Sequence, residues 1–555
     1  MRTIDELITL LLRRRGIEGG KEQAEYLSPR PQRTWDPFLL PDMKEGTELI
    51  LRTIDAGGSI CLYGDYDADG VTSIAVLYTV LRTMTEPERL SWYIPSRFDE
   101  GYGLHRGAIE KIHAAGTDLL VTVDCGSSAR AEADYARELG MEILITDHHS
   151  VSSDTSPACL FIDPKRPDSR YPFDGLAGCG VAYKLAQALQ RTRGLPHELL
   201  ARILDLVAIG TIGDIVPLVD ENRTIVKYGL RELNSGRRES LRRFCERISL
   251  TPGRIGSEQV AFAIVPHLNA AGRMASGENA LRLLLAEDRN EIMLQTEVLR
   301  GCNQKRRELQ QETFEKCLAL QREQCPHSLF PVIDADDVHE GVIGIVAGGL
   351  KDRLHRPVLV LTPTGEALKG SGRSIDGLNL YQLLKPHESL FTAFGGHSGA
   401  CGLTMPRENL NRLRRALDED MQRVDPALLQ HRPHAELDLA AGEASCELAE
   451  ALEALAPFGK DNPQPVFRFR DMIPCDVQTM GKENNHLRFT GRGESGELQC
   501  VLFRRAAEFL GGLRQGQPLD VYGTLSVDSW NGRRRVQVIV EDLVRKRAAR
   551  ATEVV

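Results

Sequence analysis

Three aspartates occupy alternate positions in a short stretch near the start of the chain. Asp65, Asp67 and Asp69 lie in the sequence YGDYDADGVTS at 63–73, directly after the apolar run ICL at 60–62. Like charges at this spacing repel one another, so a cation is needed to stabilise them. This stretch is therefore a candidate site for a bound metal ion.

Two other interpretations of these aspartates fail on neighbouring residues. The pattern D-x-D-x-D-G also begins an EF-hand loop, but position 12 of that loop is a glutamate, and here it is Val76. An EF-hand loop also follows a helix, whereas an apolar strand is predicted before Asp65. The turn after Tyr63 lacks the G-x-G-x-x-G pattern of dinucleotide-binding folds. A phosphate group can therefore approach these carboxylates only with metal ions between them.

Further carboxylates and imidazoles follow later apolar runs. Asp124 ends the run DLLVTVD, and Asp147 ends the run MEILITD and is followed by His148 and His149. In an open parallel sheet, the carboxyl ends of neighbouring strands meet at one crevice. Asp214, in IGTIGDIVPL, closes an apolar helical stretch where an unpaired buried charge is costly, so we expect it to join them.

Oxygen and imidazole ligands without thiolate suit Mn²⁺ or Mg²⁺, with some tolerance for cobalt or zinc. The candidate ligands are Asp67, Asp69, Asp124, His148, His149 and Asp214. Six ligands exceed what one ion usually takes from protein, so the sequence predicts two ions that share one bridging carboxylate. Two divalent ions roughly 3.5–4 Å apart clamp the attacking and leaving oxygens of a phosphoryl group, which predicts phosphoester or phosphoanhydride hydrolysis.

The elements that position these residues alternate between strands and helices from about residue 46 to 165. The predicted strands are 59–64, 90–95, 118–124, 141–147 and 158–164. They are too continuously apolar for a half-exposed sheet, so we expect a mostly parallel sheet covered on both faces. The predicted fold class is therefore α/β for this part of the chain.

The sequence as a whole is predicted to divide into five segments. They are an N-terminal helical arm (1–45), the α/β domain with the metal site (46–286), a long connecting helix (287–325), a second α/β domain (326–431) and a C-terminal β-barrel (432–555). In the last segment apolar and polar residues alternate, and Asn531-Gly532 is a strong hairpin signal. An oligonucleotide-binding fold is the natural candidate for this barrel.

Composition excludes several classes of protein. No run of eighteen apolar residues occurs among the 555 residues, so no membrane span is expected, and the cytoplasm is the expected location. The twelve cysteines form no C-x-x-C pair, which argues against a structural zinc site or a secreted disulfide framework. The net charge of −9 counts against nucleic acid as a partner, but recurrent clusters such as 305–307 and 533–535 leave a local basic groove possible.

Four of these motifs together resemble those of the DHH phosphoesterase superfamily. They are DYDADG (65–70), VDCG (123–126), TDHH (146–149) and GDIVPL (213–218). Further matches are similar to the RecJ family of single-stranded-DNA-specific exonucleases, namely IPSRFDEGYGL (94–104), LNAAGRM (268–274), GSGRS (370–374), GGHSGACG (395–402) and LAPFGKDNPQPVF (455–467). The resemblance implies a DHH phosphoesterase domain, a DHH-associated domain and an OB-fold domain.

The resemblance also implies a function. It implies 5′→3′ hydrolysis of single-stranded DNA to 5′-mononucleotides, with Mn²⁺ or Mg²⁺, in recombination and repair. A single-strand-binding protein and a RecQ-type helicase are the implied partners, and a monomer is expected. A channel too narrow for a duplex would admit a flexible strand, whose bases stack on aromatics such as Tyr102 or Trp530.

Residue roles follow from the matched motifs. The implied metal ligands are Asp67, Asp69, Asp124, His148 and Asp214, with Asp124 as the bridge. Asp65 and Asp147 either touch a metal or orient its ligands. His149 is expected to face the scissile phosphate, where it stabilises charge or aids proton transfer.

The matched arginines are expected to bind phosphate. Arg273 is the expected clamp on the non-bridging oxygens, with a salt bridge to Glu278 as the alternative. The terminal 5′-phosphate is assigned to Arg97, Ser371 and Arg373. His397 is expected to reach the same DNA.

Two other classes of function compete with this one. The first is another enzyme of the superfamily, such as a pyrophosphatase, a cyclic dinucleotide phosphodiesterase or an oligoribonuclease, which are expected to lack the C-terminal β domain. The second is a non-catalytic scaffold, in which loss of metal ligands is expected, and all the matched ligands are present here.

Overall fold

The fold consists of three units, each built around its own sheet. The computed structural model describes residues 2–30, 32–97, 99–101, 103–151, 156–530 and 533–545. None of the helices in these ranges is both long enough and apolar enough to span a membrane. The predicted succession of an α/β unit, a second α/β unit and a β-barrel is confirmed.

The first unit contains a sheet of five parallel strands. They are β1 (Ile60–Gly64), β2 (Leu90–Tyr93), β3 (Leu119–Val123), β4 (Glu142–Thr146) and β5 (Leu160–Ile162). Their order in the sheet is β2-β1-β3-β4-β5, and every pair is parallel. Every residue of β1 and β3 is buried, so the predicted sheet covered on both faces is confirmed.

Among the described residues, fourteen α-helices belong to the arm and the first unit. They are α1 (Ile4–Arg14), α2 (Gly20–Leu27), α3 (Met43–Asp55), α4 (Ala68–Leu81), α5 (Arg106–Ala114), α6 (Arg130–Glu138), α7 (Gly178–Arg193), α8 (His197–Arg202), α9 (Leu204–Gly213), α10 (Asp220–Ser235), α11 (Glu239–Arg247), α12 (Ser257–Gln259), α13 (Val265–Met274) and α14 (Glu278–Leu285). Ile60 and Leu62 of β1 pack with α4 and α7, whereas Cys61 and Tyr63 pack with α5 and α6. This alternation is the expected consequence of the two-residue period of a strand.

A 36-residue helix, α15 (Arg289–Gln324), leads to the second unit and is capped by Asp288. That unit contains β6 (Val332–Asp334), α16 (Glu340–Leu354), β7 (Val358–Thr364), β8 (Ala367–Arg373), α17 (Leu380–Leu384), β9 (Ala393–Gly396), β10 (Ala400–Pro406) and α18 (Leu410–Met421). Its sheet order is β6-β7-β8-β10-β9, in which only β6 and β7 are parallel.

The third unit is a closed barrel. Its elements are β11 (Leu437–Asp438), α19 (Cys446–Leu452), β12 (Phe467–Met480), β13 (His486–Gly493), β14 (Gly496–Leu502), α20 (Ala506–Leu513), β15 (Leu519–Trp530) and β16 (Arg533–Arg545). Pairing of β12 with β15 closes the ring β12-β13-β14-β16-β15. β15 and β16 are antiparallel, and the predicted turn at Asn531-Gly532 between them lies outside the described residues.

The N-terminal arm joins the first and third units. Leu7 and Leu11 of α1 are buried in the same core as Phe467 of the barrel. Arg15, at the end of α1, forms an ion pair with Glu436 at 2.7 Å. The amphipathic pattern predicts α1. Its packing partner, the core of the barrel, is distant in sequence and is identified only by the structure.

Candidate metal centre

The carboxyl edge of the first sheet holds the acidic and imidazole side chains. The aspartates of 65–69 follow β1, Asp124 follows β3, and Asp147 to His149 follow β4. Asp214 is the C-cap of α9, which packs against α4. Asp124 (φ 59°) and Ile215 (φ 58°), the residue after Asp214, adopt left-handed backbone conformations that cost free energy for such side chains.

His148 lies at the centre of three carboxylates. Its Nε2 atom is 3.1 Å from Asp124 Oδ1, 3.6 Å from Asp214 Oδ2 and 3.8 Å from Asp69 Oδ2. We refer to Asp69, Asp124, His148 and Asp214 as the metal cluster. Ligand atoms within 4.8 Å of one another form two groups that share His148, one with Asp69 and Asp214, the other with Asp124, Asp147 and His149. Acidic and imidazole side chains thus lie close enough together to hold metal ions.

The charges of the metal cluster are not balanced by basic side chains. Within the described part of the chain, neither lysine nor arginine forms an ion pair with Asp69, Asp124 or Asp214. Burial, together with repulsion between the carboxylates, raises the pKa of Asp124, and raises that of Asp214 to about 8. A divalent cation removes this repulsion and restores the ionised form.

The His148 ring is suited to bind a metal. Burial lowers the pKa of His148 to about 4, against the opposing effect of Asp69, so the ring is neutral at pH 7. Both ring nitrogens are buried without a hydrogen-bond partner among the described residues. A neutral imidazole with an unused lone pair between carboxylates fits Mn²⁺ or Mg²⁺ coordination.

Backbone amides fix the orientation of Asp69. Its two carboxylate oxygens accept hydrogen bonds from the amides of Gly178 (2.7 Å) and Cys179 (2.9 Å), at the N-terminus of α7. A helix N-terminus stabilises a negative charge, so α7 holds Asp69 in place with the other lone pairs available to a metal. Sequence reasoning missed these two residues because amide donors have no side-chain signature.

Asp67 has a different environment from the other predicted ligands. One of its oxygens, Oδ1, accepts hydrogen bonds from the amides of Asp69 and Gly70 and so caps α4. Asp67 belongs to neither group of ligand atoms. The pKa of Asp124 is raised mainly by burial and by the charge of Asp69, and the charge of Asp67 raises it further. Asn269 of α13, which was not predicted, accepts a hydrogen bond from the amide of Ala68 in the same turn. Direct coordination by Asp67 remains a prediction.

Asp147 and Asp65, for which the sequence allowed either metal binding or an orienting role, differ in their hydrogen-bond partners. Asp147 accepts hydrogen bonds from the amides of His148 (2.7 Å) and Ser127 (2.8 Å) and pairs with His149 Nδ1 at 2.7 Å. These bonds favour an orienting role for Asp147. Asp65 is buried, its Oδ1 atom has no hydrogen-bond partner among the described residues, and burial and Asp67 raise its pKa.

His149 is half-buried and pairs with Asp147. Although burial disfavours the charged ring, the hydrogen bond and charge of Asp147 raise the pKa of His149 to about 9. About 43% of its side chain is exposed. An imidazolium held by a carboxylate beside the metal cluster is placed to interact with a phosphate.

Three arginines, Arg97, Arg273 and Arg373, lie close enough to one another to interact electrostatically, and Asp67 also acts on Arg273. Arg273 donates to the Gly341 carbonyl at 3.0 Å, and the predicted alternative pairing with Glu278 does not occur, because Glu278 pairs with Arg282. Burial and the charge of Arg97 lower the pKa of Arg273 to about 10, and burial and Arg97 also lower that of Arg373. The three guanidinium groups therefore repel one another and are ready to bind an anion.

The remaining predicted contacts lie in the same region. Arg97 stacks 5.3 Å from the ring centre of Tyr66, and Arg373 donates to Ser371 Oγ at 3.1 Å. His397 is exposed, and its pKa is lowered by partial burial and by the charge of Arg373. Tyr102 lies outside the described residues, and so does the side chain of Trp530.

Comparison with known proteins identifies the units. Family models match the DHH family N-terminal domain at 59–211, the DHHA1 domain at 328–423 and the RecJ OB domain at 435–542. The chain is 36% identical to the single-stranded-DNA-specific exonuclease RecJ of Bacillus subtilis, over 97% of this chain and 68% of that protein. It is 33% identical to RecJ of Escherichia coli K12, over 84% of this chain and 85% of that protein.

Solved structures agree with these relatives. The crystal structure of RecJ with Mn²⁺ from Thermus thermophilus matches with a TM-score of 0.82 and 29% identity, over 98% of this chain and 76% of that chain. The Mg²⁺ complex from the same organism matches with a TM-score of 0.76 and 26% identity, over 98% of this chain and 75% of that chain.

Proposed function

Because this chain belongs to the RecJ family of single-stranded-DNA-specific exonucleases, we propose that it hydrolyses single-stranded DNA from the 5′ end to 5′-mononucleotides. The observation that carries the proposal is the metal cluster, in which Asp69, Asp124 and His148 are buried beside the half-buried Asp214 and, among the described residues, no lysine or arginine pairs with the carboxylates. Arg97, Arg273 and Arg373 lie beside it, have no carboxylate partner among the described residues, and match a substrate with several phosphates.

Asp67, Asp69, Asp124, His148 and Asp214 are proposed to hold two Mn²⁺ or Mg²⁺ ions, with Asp124 between them. The position of Asp124, 3.1 Å from the Nε2 atom of His148, supports a place at the centre of the ligand set. When bound, such ions lower the pKa of water and stabilise charge on phosphoryl oxygens.

The protein's own groups act on the scissile phosphate. His149, protonated at neutral pH and held by Asp147, is proposed to stabilise the negative charge that develops as the bond to the 3′ oxygen breaks. Arg273 is proposed to hold the non-bridging oxygens, since only Nη1 of its guanidinium is used by the Gly341 carbonyl.

The 5′-terminal phosphate is proposed to lie between Arg97, Arg373 and Ser371, at the N-terminal part of α16. The helix approaches β8 so closely here that a Cβ atom on Gly344 would lie 2.9 Å from Arg373 Nη2 and 3.0 Å from Ser371 Oγ. The positive end of α16 adds to the field of the two arginines. His397, whose pKa is lowered in part by Arg373, is proposed to contact the same strand.

The biological setting follows from the family. We propose that the chain acts in DNA recombination and repair in the cytoplasm, with a single-strand-binding protein and a RecQ-type helicase as partners. The OB domain supports a role on single strands. A monomeric state is also proposed and is checked by light scattering of the purified protein.

One assay separates this function from its competitors. The protein is incubated with Mn²⁺ or Mg²⁺ and with 5′- or 3′-labelled single strands, duplexes, pyrophosphate and a cyclic dinucleotide. We expect mononucleotides only from the 5′ end of single strands, and no activity in Asp124→Ala. Digestion from the 3′ end contradicts the polarity, whereas preferential cleavage of the cyclic dinucleotide or of pyrophosphate contradicts the substrate.

A further inference from the structure

A loop of the third unit packs against the first unit next to the metal cluster. The amide of Leu218 donates to the carbonyl of Lys460 at 2.9 Å, and Ser257 Oγ donates to the Phe458 carbonyl at 2.6 Å. A Cβ atom on Gly459 would lie 2.6 Å from Leu218 Cδ1, so glycine allows this close approach. Leu218 is only four residues after Asp214. The 456–462 loop is thus attached to the segment that carries a proposed metal ligand.

Several contacts fix the shape of this loop. Asn462 is 1% exposed, and its side-chain amide donates to the carbonyls of Leu455 (3.0 Å) and Pro457 (2.7 Å). Its Oδ1 atom accepts from Tyr26 OH of the arm at 2.7 Å. Asp461 has a left-handed backbone conformation with φ 58°. The loop tip is therefore held by groups from two other parts of the chain.

Arg223 of α10 anchors the start of the same loop. Its guanidinium donates to the carbonyls of Leu455 (2.8 Å) and Ala454 (3.1 Å) and lies 3.8 Å from the ring centre of Tyr26. These hydrogen bonds hold the backbone of the segment before Lys460, and none of them involves the Lys460 side chain.

The Lys460 side chain is exposed and forms no ion pair or hydrogen bond with a described residue. Its backbone carbonyl is bound to Leu218, in the segment that begins at Asp214, which places Lys460 where the loop contacts the first unit. In agreement with this position, burial and then the charges of Arg373, Lys460 and His149 lower the pKa of His397. One basic residue from each unit, His149, Arg373 and Lys460, therefore acts on His397.

We propose that Lys460 binds the backbone phosphate that follows the scissile phosphate on its 3′ side. This inference rests on the proposed function, in which Arg97 and Arg373 hold the terminal phosphate and Arg273 and His149 hold the scissile one. The next phosphate is the one left without a partner. The loop belongs to the unit that matches the RecJ OB domain.

Substrate length tests this assignment. A 5′-phosphorylated dinucleotide has a terminal and a scissile phosphate but lacks the third, whereas a 5′-phosphorylated decanucleotide has all three. For Lys460→Gln we expect a KM on the decanucleotide about tenfold higher than that of the unaltered protein, with kcat unchanged and the dinucleotide unaffected. The slope of log(kcat/KM) against log salt concentration should become shallower by about 0.7, the value for one phosphate contact on a single strand.

Two variants serve as controls. Lys460→Arg keeps the charge and should restore most of the affinity for the decanucleotide. Lys44→Gln removes the same charge from α3, where Lys44 lies 4.0 Å from Glu48 on the surface, and should behave as the unaltered protein.

The outcomes distinguish the two proposals. If Lys460→Gln matches Lys44→Gln on the decanucleotide, or is equally impaired on the dinucleotide, the role of Lys460 is rejected while the exonuclease function stands. If the unaltered protein releases no mononucleotides from single strands, the proposed function itself is rejected.

Discussion

Two sites in the first unit hold buried carboxylates, and these carboxylates are stabilised in different ways. In the metal cluster, three carboxylates surround one neutral imidazole, and no described lysine or arginine pairs with them. In the second group, Glu221 is 1% exposed and has a complete set of partners. It accepts hydrogen bonds from Lys184 Nζ (2.7 Å), Thr34 Oγ1 (2.9 Å), the Trp35 amide (3.1 Å) and Tyr171 OH.

We call this second group the Glu221 cluster. Lys184 is fully buried, and its ammonium also donates to the Trp35 carbonyl at 2.6 Å. The cluster joins the arm to α7 and α10, so its charges stabilise the fold. Buried charges that the protein itself neutralises serve structure, whereas those left without a partner require a ligand.

The largest expected effect is on catalysis, from removing one charge of the metal cluster. Asp124→Asn should lower kcat/KM about 1,000-fold or more, because the proposed bridge between the ions is lost. In EDTA the same variant should unfold at an equal or higher temperature, because burial and like-charge repulsion already raise the pKa of Asp124. Thermal unfolding with and without Mn²⁺ measures this. If Asp124→Asn is much less stable than the unaltered protein in EDTA, the Asp124 carboxylate stabilises the fold itself.

Removing a charge from the Glu221 cluster should lower the stability of the fold and leave catalysis intact. Lys184→Met leaves Glu221 buried without its cation, and we expect a loss of about 3–5 kcal/mol in the free energy of unfolding, measured by urea titration. The folded protein should retain its kcat. The double variant Lys184→Met/Glu221→Leu should recover most of the stability. Loss of kcat in a fully folded Lys184→Met protein contradicts the division between the clusters.

Arg273 tests whether a cation without a carboxylate partner serves the substrate. Arg273→Lys should lower kcat about 100-fold, because an ammonium cannot hold two phosphoryl oxygens in the same geometry. The matched control is Arg282→Lys, since Arg282 pairs with Glu278 at 2.7 Å on the surface. Steady-state kinetics on a 5′-phosphorylated single strand measures both. Equal kcat values for the two variants would show that Arg273 has no part in the chemistry.

Sequence alone predicted the parallel sheet and the convergence of Asp124 and His148, because strand ends at one edge follow from the pattern of apolar runs. Asp214 was predicted from the cost of an unpaired charge in an apolar helix. The partners of Glu221 were not predicted, because Thr34, Tyr171 and Lys184 come from separate segments without a local signal. Contacts between distant segments are fixed by packing, which neither spacing nor composition encodes.

Lys460 illustrates the same limit at the site. Its motif indicates only the start of the barrel unit. Its place against the 214–218 segment depends on the backbone hydrogen bond to Leu218 and on Asn462, which is held by Tyr26 of the arm. Arg273 is a second case, because two partners were possible from sequence. The structure pairs Glu278 with Arg282 instead.

The smallest effect is the pH dependence of metal binding. Burial and nearby carboxylates raise the pKa of Asp214 to about 8, against about 3.9 for an unfolded aspartate. Between these values the metal-free folded protein binds more protons than the unfolded chain, so its stability falls as pH rises from 6 to 8. Mn²⁺ must displace these protons, so its apparent affinity should rise by up to about tenfold per pH unit for each proton released.

Thermal unfolding with Mn²⁺ and with EDTA at pH 6, 7 and 8 measures this linkage. The gap between the two unfolding temperatures should widen with pH, since a ligand that binds only the folded state stabilises it in proportion to the logarithm of its concentration over Kd. In Asp214→Asn the widening should be smaller, because one titrating carboxyl is removed. In Lys184→Met it should be unchanged, because the Glu221 cluster takes no metal. If the difference between the two unfolding temperatures stays constant or narrows from pH 6 to 8, the carboxyls of the metal cluster are already ionised without metal. The two clusters would then differ only in their hydrogen bonding.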